Sequence, residues 1–286
     1  MKKVHRLLVV AKKRYDAGAS PLVEVGNVAY YCLQKLASKA TSRSQGSVGT
    51  KKYSVFVAGK KLSRPFLLSL MLHDADEFSR RWAELRAALN PVTSRIDMEA
   101  DQANLILYTA ISAFCVCFDL WQPGSRKTPG TFLEVLLGSV LGTLLPQHRR
   151  TKTVPIPGQT ENIATDIVFT NSAATQGLVF PAKVTCRERI GQAFAHQRIL
   201  ESVFGAGRYQ SALLCVSEMQ REKHTDVNEI SVPGPIRLYQ SHLARLSGIY
   251  YLDPPNRYMQ ADVTSVIPVG SWGQFLTSVL PTLAAL

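Results

Sequence analysis

The sequence predicts an α/β protein: a mixed β-sheet flanked by helices, preceded by a mainly helical N-terminal region. Three observations point to this class. Before residue 122, apolar residues recur at helical spacing over long segments. At "QPGSRKTPGT", residues 122–131, glycine, proline and basic residues cluster and mark a break. Beyond the break, short extended segments alternate with helical ones, the order expected when helices cover a sheet. The break divides the chain into a region 1–122 and a region 123–286.

The first clear helix starts at Pro21, which suits a first helical position after Ser20, and carries Leu22, Val25, Ala29, Leu33 and Leu36 on one stripe. A Ser/Gly/Thr/Lys loop follows, then "KYSVFVAGKK", whose alternation predicts a strand or hairpin. A second helix is expected from Ser63-Arg64-Pro65 to Leu89, ending before Asn90-Pro91. The third, Met98 to Leu120, is apolar on nearly every face, as a central buried helix is. Past the break, a helix over 131–145 precedes extended segments at 152–157, 164–170 and 178–185. A helix over 187–204, the strand "SALLCVSE", the helix "GPIRLYQSHLARLS", the strand "GIYYLD" and a helix over 271–284 complete the series. No internal repeat interrupts it.

Composition narrows the class of function. The apolar fraction of 46% and charged fraction of 19% describe an ordinary globular chain, not a disordered one. A net charge of +12 suggests a polyanionic partner, nucleic acid or an acidic membrane surface. The five cysteines, Cys32, Cys115, Cys117, Cys186 and Cys215, form no CxxC pair, which argues against a disulfide framework or a zinc site and suits a reducing cytoplasm. The N-terminal apolar core is too short for a signal peptide. The longest apolar stretch, "FLEVLLGSVLGTLL", is shorter than a membrane span and contains a glutamate, so no membrane role is expected.

Between Val25 and His73 no acidic residue occurs, whereas Lys35, Lys39, Arg43, Lys51, Lys52, Lys60, Lys61 and Arg64 do. Two readings stand: a solvated basic loop, or an arm contacting nucleic-acid phosphates through Lys51, Lys52, Lys60 and Lys61.

The segments "ATDIVFT" and "GLVFPAKVT" flank the polar "NSAATQG", a length that allows a hairpin. Pairing would set Asp166 beside Lys183 at one edge of the sheet, as a simple salt bridge or as part of a site. Glu134 lies in an otherwise apolar helix, where a carboxylate needs a partner, a metal or an exposed edge. Glu188, Gln192 and His196 share one helix face by i, i+4 spacing, starting where the Lys183 strand ends. Acids and a lysine at a sheet edge suit metal-dependent phosphodiester cleavage. Mg²⁺ takes one or two carboxylates and keeps several waters, and a nearby lysine stabilises transition-state charge. Arg187 and Arg189 can hold adjacent phosphates.

The order Glu134, Asp166, Lys183 on helix, strand and strand resembles the PD-(D/E)xK nuclease superfamily. The run "LVFPAKVTCRERIGQAFAHQRIL" resembles, more narrowly, type II restriction endonucleases, over about residues 130–255. The resemblance implies a restriction-endonuclease-like core, Asp166 as the metal-binding aspartate (here in "TD"), Lys183 as the catalytic lysine and Glu134 as the helix-borne acid. It also marks a departure: Pro181 stands where an acid is usual, two residues before the lysine. Glu188 is the nearest substitute ligand, with Glu201 and Glu218 further off. Gln192-x-x-x-His196 resembles a Gln-x-x-x-Tyr element of related nucleases.

The expectation is an Mg²⁺-dependent endonuclease of restriction type, a homodimer on double-stranded DNA at a short palindromic site. The N-terminal region would clamp the duplex, and Gln192 and His196 would join the arginines on DNA. A repair or junction-resolving nuclease, or a DNA-binding module that has lost its second acid, are the alternatives.

Overall fold

A computed structural model describes residues 1–125, 127–222 and 226–285. The N-terminal region opens with α1 (Lys2–Asp16) and α2 (Leu22–Lys39), followed by β1 (Thr41–Val48), β2 (Lys51–Ala58), β3 (Lys61–Leu62) and β4 (Phe66–Leu67). Next come α3 (Ala75–Ala87), a small hairpin of β5 (Leu89–Asn90) and β6 (Arg95–Ile96), and α4 (Ala100–Trp121). The second region holds α5 (Thr128–Leu144), β7 (Arg149–Pro155), β8 (Asn162–Thr170), β9 (Gly177–Phe180) and β10 (Ala182–Lys183). It continues through α6 (Ile190–Phe204), β11 (Tyr209–Cys215), β12 (Met219–Glu222), β13 (Asp226–Glu229), α7 (Pro233–His242) and β14 (Gly248–Tyr251). The short α8 (Ala261–Thr264), β15 (Val269–Ser271) and a helical segment from Trp272 to Ala284 follow.

Seven strands build the central sheet, in the order β15-β14-β11-β9-β8-β7, with β10 continuing β9 alongside β11. The strands β9, β10, β14 and β15 run parallel to their neighbours at β11 and β14, while β7 and β8 are antiparallel. This is the mixed sheet with flanking helices that the sequence predicts. The β8–β9 hairpin also forms, with Ile167 opposite Phe180 and Thr170 opposite Gly177.

Two N-terminal expectations need correction. The Ser/Gly segment after α2 is not a loop but β1, paired along its length with β2 across a Ser44/Gly46 bulge; cross-strand pairing outweighs its weak strand propensity. The helix expected from Ser63 starts only at Ala75. Residues 66–67 are instead drawn onto β2, and Asp74 caps α3 by accepting from Glu77 N at 2.7 Å. The N-terminal region therefore carries a four-stranded sheet beside its helices.

A longer apolar segment than residues 132–145 is also present. Among the described residues α4 is the one helix long and apolar enough to cross a membrane by length and composition, and 89% of its apolar window is buried inside the fold. Its core role shows in Phe114, stacked on Phe118 and on Phe132 of α5, with centroids 4.4 and 4.2 Å apart. One hydrophobic cluster runs from Val4 to Leu283 and takes residues from both regions. Smaller clusters lie under α6 and α7 on the opposite face of the sheet.

Candidate active site

The local geometry begins at Pro181. Lacking an N–H, it divides the strand into β9 and β10, yet its carbonyl accepts from Leu214 N at 2.9 Å, so contact with β11 is kept. On the other side the side chain of Asp166 replaces a ladder bond: Oδ2 accepts Ala182 N at 2.8 Å. The same oxygen accepts Lys183 Nζ at 2.7 Å. The side chains of Asp166 and Lys183 are about four-fifths buried, so the pair is sheltered but reachable.

Asp166 and Lys183 line a cleft of about 900 Å³. Glu134, on α5, lines it too. Burial raises the Glu134 pKa most; Lys152, whose Nζ lies 3.3 Å from Oε2, pulls it down, and the charge of Asp166 pushes it up again. Three charged groups from helix, strand and strand thus share one field. The opposite wall comes from the N-terminal region. There Arg64 grips Asp119 of α4 through Nε at 2.8 Å and Nη2 at 2.9 Å, and its own amide also donates to Asp119. Arg187, Arg189, Lys127 and Arg221 add positive charge to the lining.

A second cavity of about 190 Å³ touches the same Asp166–Lys183 pair and is lined by Arg189, Gln192 and His196. Burial lowers the His196 pKa, and so does Lys183, which favours a neutral imidazole at neutral pH. Of the i, i+4 stripe, the structure brings Gln192 and His196 to the Asp166–Lys183 corner. Glu188 is exposed and lines neither cavity. Glu201 binds Gln197 Nε2 at 3.1 Å on the far part of α6, and Glu218 is fully buried behind the turn after β10.

The basic arm divides. Lys52, Lys60 and Lys61 are exposed on the β2–β3 hairpin. Lys51 is held instead by Asp253, Nζ to Oδ1 at 2.8 Å, which ties the hairpin to the end of β14. Sequence reasoning missed Lys127 and Arg221 as cleft residues; nothing in their spacing marks them, because the cleft forms only when α5 and β12 close on α4.

Cys186, Cys215 and Glu218 bring candidate ligand atoms within 4.8 Å of one another. Soft thiols are poor partners for a hard ion such as Mg²⁺, and both carboxylate oxygens of Glu218 already accept backbone N–H groups. The oxygen donors facing the cleft suit that ion better: the bonds to Asp166 fall on Oδ2 rather than Oδ1 among the described residues, and Glu134 also offers a carboxylate.

A mixed sheet with an acid–lysine pair at a strand break, in a basic cleft, defines a nuclease-like architecture, and comparison narrows it. The crystal structure of the type IIP restriction endonuclease Kpn2I matches with a TM-score of 0.88 and 35% identity, over 100% of this chain and 99% of that one. The complex of the restriction endonuclease PspGI with substrate DNA gives a looser likeness, TM-score 0.39 and 10% identity over 73% and 92%. No protein-family model and no curated protein sequence matches. The chain belongs to the type II restriction endonucleases. It is a site-specific deoxyribonuclease that binds DNA.

Proposed function

We propose that the chain cleaves double-stranded DNA at a short palindromic site by Mg²⁺-dependent phosphodiester hydrolysis, in the manner of the PD-(D/E)xK nucleases. The observation that carries this reading is the 2.7 Å Lys183–Asp166 contact in the cleft lining, with Glu134 in the same field. Asp166 and Glu134 would hold the ion. Bound there, Mg²⁺ would neutralise the scissile phosphate and acidify a coordinated water. Lys183, anchored through its carbonyl to Val216 N at 3.1 Å, places its ammonium where charge develops on the phosphate oxygens. Arg187 and Arg189 hold neighbouring phosphates, and Gln192 and His196 face the duplex from the smaller cavity. Digestion of a plasmid with Mg²⁺ should give discrete bands, and EDTA should abolish them; an unchanged plasmid would refute the reading.

Glu134 is the better second acid, because it lines the cleft with Asp166 whereas Glu188 is exposed outside it. Glu134→Gln should lower the single-turnover rate at saturating DNA by about a hundredfold or more. Glu188→Gln should lower that rate much less, since its carboxylate lies outside both cavities. Equal losses would return Glu188 to the metal.

Residues 1–122 act as the DNA clamp and residues 123–286 as the catalytic unit, a reading supported by the two-sided origin of the cleft. Replacing Lys52, Lys60 and Lys61 by Gln should weaken binding and flatten the slope of log affinity against log salt by roughly 2–3. An unchanged slope would reduce the arm to a solvated hairpin. The working unit is a two-fold dimer, which matches a palindrome; sedimentation at the concentrations used for cleavage tests it.

A further inference from the structure

The turn between β10 and α6 presents Arg187 and Arg189 to the cleft, and its backbone is not relaxed. Arg187 has φ +50°, a left-handed conformation that side-chain-bearing residues adopt at a cost. Something must hold it there. Beneath it Glu218, with no exposed surface, accepts Cys186 N on Oε1 at 2.7 Å and Arg187 N on Oε2 at 3.3 Å. Tyr251 OH donates to Oε1 at 3.0 Å. Two residues beyond Glu218, Gln220 Oε1 accepts Arg187 Nη2 at 2.9 Å, while Arg187 Nε is buried with no hydrogen-bond partner among the described residues. One segment, residues 218–220, therefore fixes both the backbone and the guanidinium of the same arginine.

We infer that Glu218 is a positioning residue for DNA binding: its ionised carboxylate holds the Cys186–Arg187 turn so that Arg187 and Arg189 meet the duplex. A buried carboxylate accepting two backbone N–H groups is a strong, directional clamp. Protonation would turn one acceptor oxygen into a donor facing an N–H, and the turn would lose a tether. The groups around it are Cys186 and Arg187 from the turn, Cys215 from β11, Tyr251 from β14 and Tyr258 beyond it. Burial pushes the Glu218 carboxyl up to about 7, against the lowering effect of the Cys186 N–H, Tyr251 OH and Arg187. The clamp is accordingly ionised above about pH 7 and lost as pH falls through it. Folding runs the other way. A carboxyl whose pKa is raised in the folded state favours folding while protonated, and that contribution fades as pH climbs from the ordinary carboxylate range to about 7. DNA affinity therefore gains with pH where stability declines.

The inference rests on Arg187 contacting DNA, and the experiment separates the two. KM and kcat are measured on plasmid DNA with Mg²⁺ between about pH 6 and 8. For the wild type, KM should rise as pH falls below about 7. Glu218→Gln should raise KM about tenfold, leave kcat at saturating DNA within about threefold, and remove that pH dependence. Tyr251→Phe keeps the carboxylate but deletes a donor to its charged form, so the midpoint of the KM profile should move to higher pH. A wild-type KM and profile in Glu218→Gln would overturn the inference. If a thermal melt shows that Glu218→Gln does not fold, Tyr251→Phe decides alone, and an unshifted midpoint overturns it. Arg187→Ala should raise KM as well. No rise there would remove the DNA assignment and this inference together, whereas a rise in Arg187→Ala without one in Glu218→Gln would sink the role of Glu218 alone.

Discussion

Lys183→Ala and Asp166→Ala are each expected to lower the single-turnover cleavage rate by about a thousandfold, with DNA affinity held within a few-fold. The lysine ammonium and the aspartate share one hydrogen-bonded contact, so each substitution removes its own charge and unseats the other. Loss of one preorganised charge from a sheltered site costs on the order of 10²–10³ in rate. Asp166→Ala should be the more severe, because Oδ2 also accepts Ala182 N and so completes the ladder at the Pro181 break. Rates come from quench-flow on a cleaved duplex, and affinity from anisotropy in EDTA. Near-wild-type cutting by either variant would dissolve the site.

Asp253→Ala is expected to destabilise the fold by about 3–5 kcal/mol, the cost of removing one partner from a buried ion pair. Asp253 is almost wholly buried and accepts Lys51 Nζ at 2.8 Å, Tyr53 OH at 3.0 Å and Ser217 Oγ at 2.9 Å. Its truncation takes the carboxylate from a lysine and two hydroxyls where the N-terminal hairpin meets the central sheet. Asn256 Nδ2, donating to Val48 O at 3.0 Å, and Lys51 Nζ, donating to Pro254 O, would remain as ties nearby. Denaturant melts check the figure. A loss below about 1 kcal/mol would mean that the hairpin is carried by the packing of Tyr53 and Phe66 instead.

The second half of the chain was readable because its signals are local. Period-two alternation and polar turns fixed β8, β9 and the pairing of Asp166 with Lys183, and the apolar helix around Glu134 marked itself. The first half was less readable. Thr41–Val48 is rich in serine and glycine and becomes a strand only because Lys51–Ala58 lies beside it. Phe66 and Leu67 fit a helical stripe but bond to Tyr53 and Ser54 instead. Lys51 looked like its neighbours Lys52 and Lys60 until a residue some two hundred positions away claimed it. Glu218 was visible only as a spare acid. Its contact with the Arg187 turn depends on β11 lying parallel to β10, which no short window of sequence reveals.

The cluster that runs from Val4 to Leu283 has a bearing on folding. Its members come from nearly both ends of the chain, and Trp272, wholly buried, donates from Nε1 to Tyr250 O across the last strands added. Gly273 lies so close to Ala100 that a Cβ there would meet its carbonyl oxygen at 1.8 Å. The helix that walls the cleft thus takes its final seat only against segments far later in the chain. Such distant contacts form late. The cleft wall and the sheet edge that seats it are therefore acquired together, as one long-range packing event rather than region by region.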